Sequence, residues 1–289
     1  MDWLFGWLTD WIKQGLIDSI MGNFTNMYAM INTEVGNIAA NVGQTPEGWN
    51  SRVYSMIKTL SESAVIPIAG MILTFVLCYE LIQLIIERNN MHEFETYAIY
   101  KWIVKTFCAV YILSNTFNLV MGVFGLAQQA VNQSAGIISG NLAVGANAAL
   151  ADLEAMLQEM GMWELIGLWL ESWVIGLSLS VMSICIMIIV YGRMIEIYIT
   201  VSVAPIPLST MANREWGQIG NNYLKSLFAL AFQGFLIMIC VAVYAVLVQS
   251  IPSASNVHGA LWGAVGYTVL LCFALFKTGS LSKSLFSAH

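Results

Sequence analysis

The chain has 289 residues, of which 58% are hydrophobic and only 10% charged, and its mean hydropathy is +0.72. A soluble domain carries about 25% charged residues, so there is too little polar surface here to coat a water-soluble globule, and lipid must cover much of the chain. A net charge of −6, a pI near 5.0 and 11 basic residues that form no run argue against a nucleic-acid-binding surface, which needs clustered Lys and Arg.

Residues 2–22 read as an amphipathic helix. Trp3, Leu4, Trp7, Leu8, Trp11 and Ile12 fall on one stripe, and Asp2, Gly6, Thr9 and Lys13 on the other. Charge interrupts this run too often for it to span a bilayer. Either it lies in the interface, with Trp3, Trp7 and Trp11 at headgroup depth, or the stripe packs on the protein's own helices. The start Met1-Asp2-Trp3 lacks the basic opening and long apolar run of a cleavable signal peptide. Residues 23–62 are more polar, and Pro46-Glu47-Gly48 marks a turn. The division expected is an external, interfacial N-terminal segment over 1–62 and a transmembrane domain over 63–289.

Five spans are expected in an all-α polytopic fold, since a hydrocarbon core of roughly 30 Å takes about 20 helical residues. They cover about 64–86, 99–126, 165–203, 226–249 and 257–279. The third is overlong, on the order of 55 Å at the helical rise per residue, so it should project from the bilayer or break. Between the second and third lies 128–162, an external region rich in Ala, Gly and Asn that contains Gly136 and Gly140 and ends in Asp152, Glu154 and Glu159. Basic residues set the orientation. Arg88, Lys101 and Lys105 flank the first loop, Arg193, Arg214 and Lys225 the third connection, and Lys277 and Lys283 the C-terminal end. Placing these inside leaves only Lys13, Arg52 and Lys58 outside, so the rule that cytoplasmic loops are basic puts the N-terminus out and the C-terminus in.

Ionisable residues within spans are functional candidates. Glu80, Lys105, Arg193 and Glu196 fall toward the cytoplasmic side, with Glu171 at the other end of the third span. Such a one-sided cluster fits helix–helix ion pairs and snorkelling, or a charged mouth or docking site. Arg193 and Glu196, three apart, can pair on one helix. Gly259 and Gly263, followed by Gly266, and Gly122 with Gly125, would allow close helix contact. Cys78, Cys108, Cys185, Cys240 and Cys272 sit singly in apolar stretches, so they read as buried, inert thiols and not as a disulfide framework or a zinc site. His92, His258 and His289 are isolated, no catalytic motif is present, and no enzyme is expected. No cofactor is expected beyond bound phospholipid.

The densest signal is the connection 204–225. Pro205 and Pro207 must end or kink the third helix, because each lacks an N–H donor and disfavours the α region before it. A polar stretch with Asn213, Trp216 and Gly217 follows. From Ala204 to Ile237, APIPLSTMANREWGQIGNNYLKSLFALAFQGFLI, the sequence resembles the TrbL-like family of conjugal transfer proteins, the polytopic inner-membrane components of type IV secretion systems, in the versions on conjugative elements of Gram-positive bacteria. The resemblance implies a ring of roughly five identical subunits in the bacterial cytoplasmic membrane. It implies a place in the path of single-stranded DNA with its relaxase, as a transient passenger. It also implies a bitopic assembly factor and cytoplasmic ATPases as partners. A stand-alone transporter or ion channel, with Glu80 and Glu196 as its polar site, is the alternative, and a holin-like protein acting through the tryptophan helix is a third reading.

Overall fold

The structure is a computed structural model that describes residues 2–86, 96–141, 146–249 and 257–288. The side chain of Trp3, together with Arg88, His92, His289 and residues 250–256, lies outside the described residues. All regular elements among the described residues are helical. In chain order they are α1 (Asp2–Val42), α2 (Pro46–Trp49), α3 (Ser51–Leu60), a π-turn (Ser61–Val65) and α4 (Ile66–Ile86). Then come α5 (Thr96–Ser114), α6 (Thr116–Asn141), α7 (Ala146–Glu159), α8 (Met162–Val203), α9 (Pro205–Ser209), a 3₁₀ turn (Thr210–Ala212), α10 (Gly217–Gln249) and α11 (Val257–Leu285).

Four helical runs are long and apolar enough to cross a membrane: Ser51–Ile86, Met162–Ala212, Gly217–Val248 and Val257–Leu285. The first begins upstream of the expected Ala64 because α3 continues into α4 through a π-turn that keeps the run helical. Pro67 is the reason for the π-turn between them. It has no N–H to give, and its ring would strike the carbonyl four residues back. The wider turn opens that space, with the Ile66 N–H reaching Ser61 O.

The expected second span, 99–126, is not one straight helix. Ile99–Ser114 and Thr116–Ser134 meet at 71°, which makes the pair a broken span or a re-entrant loop. No proline or glycine sits at the break. Instead Asn115 Nδ2 donates to Tyr111 O (3.0 Å), and the Thr116 hydroxyl donates to Ile112 O (2.9 Å) and Leu113 O (3.0 Å). Side chains that bond back onto the preceding turn compete with the helical ladder and bend it.

The chain divides into two units. The first comprises 1–43, 132–190 and 237–277, and the second 44–131, 191–236 and 278–289. In the first, α1 does not stop near residue 22 but continues as a 41-residue helix. Ile17, Ile20, Phe24, Met27, Ile31, Val35, Ile38 and Val42, three or four apart, are all buried, a coiled-coil-like seam. Three hydrogen bonds fix its neighbour. Trp169 Nε1 donates to Ser19 Oγ (2.9 Å), Asn23 Nδ2 to Ser172 Oγ (2.9 Å), and the Ser183 hydroxyl to Glu34. The partners rise together along both sequences, so α1 and α8 run parallel and in register. Lys13 Nζ reaches Gln158 O at 2.9 Å, which ties α7 to the same end of α1. The packing stripe therefore starts at Ile17. Trp7 and Trp11 are 60% and 66% exposed and do not pack on the other described helices.

In the second unit, Phe117, Val120 and Phe124 of α6 pack against Met194, Ile197 and Val201 of α8 and Leu227, Leu230 and Ala231 of α10. A second cluster joins Leu73, Val76 and Leu77 of α4 to Leu113 and Ala212. Between helices in lipid such contacts stabilise by close packing, since lipid tails are as apolar as leucine.

Candidate functional site

The prolines do less than expected and Asn213 does more. The hydrogen-bond ladder of α8 breaks at Ala204, and Pro205 and Pro207 lie in the first turn of α9, where no backbone donor is required. The helical run nonetheless continues to Ala212. The chain turns at Asn213, whose backbone is extended (φ −106°, ψ 146°).

Asn213 is 2% exposed, and both ends of its amide are in use. Oδ1 accepts from the backbone N–H of Glu215 (2.7 Å) and of Trp216 (3.1 Å), which caps the start of α10. Nδ2 donates to Glu80 Oε2 (2.8 Å) on α4. The other oxygen of Glu80 takes Lys105 Nζ of α5 at 2.5 Å. Next to this, Gln83 Nε2 and the Tyr79 hydroxyl donate to the two oxygens of Glu215, at 3.0 and 3.4 Å. Trp216 stacks on Phe75 (centroids 5.6 Å apart, 12° between planes) and on Tyr79 (5.4 Å, 6°). Two groups of residues that are separate in sequence, the Glu80/Lys105 charges and the Asn213/Trp216 connection, are thus one polar knot in the second unit.

Of the connection's glycines, Gly217 opens α10 with its N–H on Asn213 O (2.9 Å), and a Cβ there would make ordinary contact. The steric requirement lies at Gly220. A Cβ there would stand 2.1 Å from Met211 Cγ and 2.7 Å from Pro207 O. Sequence reading passed over Gly220, although its place one turn into α10 and opposite the proline segment was the available signal.

Beside the knot is a cavity of about 620 Å³, lined in part by Glu80, Lys101, Lys105, Asn213 and Arg214, with Tyr97 and Trp102 in its wall. Both oxygens of Glu80 are engaged. Lys101 and Arg214 have no carboxylate in ion-pair range among the described residues.

Arg193 and Glu196 lie elsewhere and do not pair with each other. The Arg193 side chain is 5% exposed, its Nε has no hydrogen-bond partner, and it fills the space left by Gly234, where a Cβ would stand 2.6 Å from Nη2. Glu196 faces Lys283 at 3.4 Å instead. Three-residue spacing permits the Arg193–Glu196 pair, but Arg193 turns into the helix packing while Glu196 stays on the open face. Glu171 pairs with His258 Nδ1 at 2.5 Å. Among the described residues, a Cβ at Gly263 or Gly266 would meet nothing within 4 Å, and Gly259 is exposed. The cysteines are free thiols, but only Cys272 is buried. Cys78 and Cys108 lie on exposed faces of α4 and α5, which within a span are faces for lipid or another protein, as are their exposed neighbours Phe75 and Phe107.

Glu34 is the residue that sequence reading missed. It accepts a hydrogen bond from Ser183, which lies at the middle of the charge-free stretch of α8 between Glu171 and Arg193. Polarity hid it, since the segment around it fails a hydropathy test for a span.

Together these long apolar helices define a polytopic all-α membrane protein. The TrbL/VirB6 plasmid conjugal transfer-like family matches residues 31–205, more than half of the chain, and the chain belongs to that family. The match begins within α1, runs through α8 and stops at Pro205, at the head of the Ala204–Ile237 block. No curated protein and no solved structure matches the chain.

Proposed function

We propose that this component of a conjugation machine works as a ring of identical subunits, roughly five by its family resemblance, in the bacterial cytoplasmic membrane. Its N-terminus lies outside and its C-terminus inside. It forms part of the conduit or scaffold through which single-stranded DNA with its relaxase passes. A bitopic assembly factor and cytoplasmic ATPases work with it and supply the energy. The family match over residues 31–205 carries this reading. The surface agrees with it: only 22% of the apolar stretch in the run Met162–Ala212 is buried, and the Gly263/Gly266 face of α11 is open for a close helix approach. The protein's oligomeric state in lipid tests it. A ring weakened by Gly263→Leu supports the reading, and a strict monomer overturns it.

A second reading, an ion or proton path within one chain, now rests on Glu34 and not on Glu80 or Glu196. A carboxyl at mid-span depth is costly and marks a functional site by default. Proton flux in liposomes that Glu34→Gln abolishes would support this reading, and flux indifferent to that change would remove it.

A further inference from the structure

We propose that the cavity beside Asn213 is a binding site for the phosphate headgroup of an anionic phospholipid. This inference needs only that the chain is a membrane protein and is independent of the ring.

The charges decide the sign of the ligand. Glu80 is matched by Lys105 at 2.5 Å and by the Asn213 amide at 2.8 Å, so neither of its oxygens is left to hold a cation. Lys101 and Arg214 line the same space and have no acidic partner among the described residues. Among the described lining residues, what remains is an excess of two positive charges. Arg214 offers a planar fork of donors and Lys101 a compact ammonium, both suited to phosphate oxygens.

Size and surroundings decide the class. About 620 Å³ is far more than one phosphate needs and falls in the range that accepts a whole small ligand. Tyr97 and Trp102 supply amphipathic rings of the kind that sit at headgroup depth. The flanking helix faces that lead from the cavity toward the bilayer interior are apolar and open, with Met71 and Phe75 on α4 and Phe107 and Val110 on α5 all exposed. A headgroup in the cavity would place its acyl chains along those faces. Basic pockets between membrane helices bind anionic headgroups in this manner. A DNA phosphate would use the same cations but would leave the apolar faces bare.

The test uses the full chain in neutral detergent. Binding of short-chain phosphatidylglycerol is measured beside short-chain phosphatidylcholine, inorganic phosphate and a single-stranded oligo-dT. Phosphatidylglycerol should bind tightest, and the double variant Lys101→Ala/Arg214→Ala should lose roughly thirtyfold in affinity. Each single variant should lose roughly fivefold, which keeps the test valid if the double variant is unstable. Lys283→Ala, away from the cavity, should bind as the parent does. Equal binding of the two lipids, or unchanged binding by the variants, overturns the proposal. So does phosphate or oligo-dT binding at least as tightly and through the same two residues.

Discussion

Asn213 joins three segments through one amide, and replacing it separates its two jobs. Asn213→Ala removes two bonds to the backbone N–H groups of Glu215 and Trp216 and one to an ionised carboxylate. Neutral bonds contribute about 1 kcal/mol each and one to a charged group about 1.5–3 kcal/mol, so the loss should be roughly 3–5 kcal/mol. The lower end is expected because Glu215 is exposed and water can reach its N–H. Asn213→Asp keeps both capping bonds but faces Glu80 Oε2 with a second carboxylate oxygen where a donor stood 2.8 Å away. It should cost at least the roughly 1.5–3 kcal/mol of the charged bond. Adding Glu80→Gln to Asn213→Asp restores a donor–acceptor pair and leaves the introduced carboxylate to neutralise Lys105. The double variant should recover most of the loss, with a coupling of about 2 kcal/mol between the two positions. The assay is reversible unfolding of the purified chain in mild detergent, followed by tryptophan fluorescence, with the parent, both single variants and the double variant compared. An Asn213→Asp variant as stable as the parent, or additive effects of the two changes, would refute the knot as drawn.

Gly220→Ala should destabilise by about 1–3 kcal/mol in the same unfolding assay, as overpacking does. Adding Met211→Ala should restore only part, because Pro207 O stays 2.7 Å from the new Cβ. Lys283→Ala should change stability by less than about 1 kcal/mol, since both members of its pair with Glu196 are about half exposed. A large loss there would show that the pair is shielded by something beyond this chain.

The spans were legible because runs of apolar residues can be counted. Their interruptions were legible only in part. Pro205 and Pro207 announced a break, but a proline at the head of a short helix fits without turning the chain. The turn fell to Asn213, whose side chain substitutes for the missing ladder. The 71° bend at Asn115 carries no proline, and its signal was two adjacent polar side chains able to bond backward. The N-terminal helix was cut short because Asn, Thr and Glu34 dilute its hydropathy. The spacing of Ile17 through Val42 was nevertheless present in the sequence, and it reports packing where hydropathy reports lipid. Pairing across helices was the least visible. Glu196 found Lys283 and not Arg193, because charge and spacing permit several partners and only the fold selects among them.

That this chain acts as an assembly is the central claim. Direct imaging of the full chain in lipid nanodiscs tests it, with Gly263→Leu beside the parent. Rings of roughly five subunits are predicted for the parent, and smaller species for a variant that still folds. Single subunits throughout for the parent would contradict the claim.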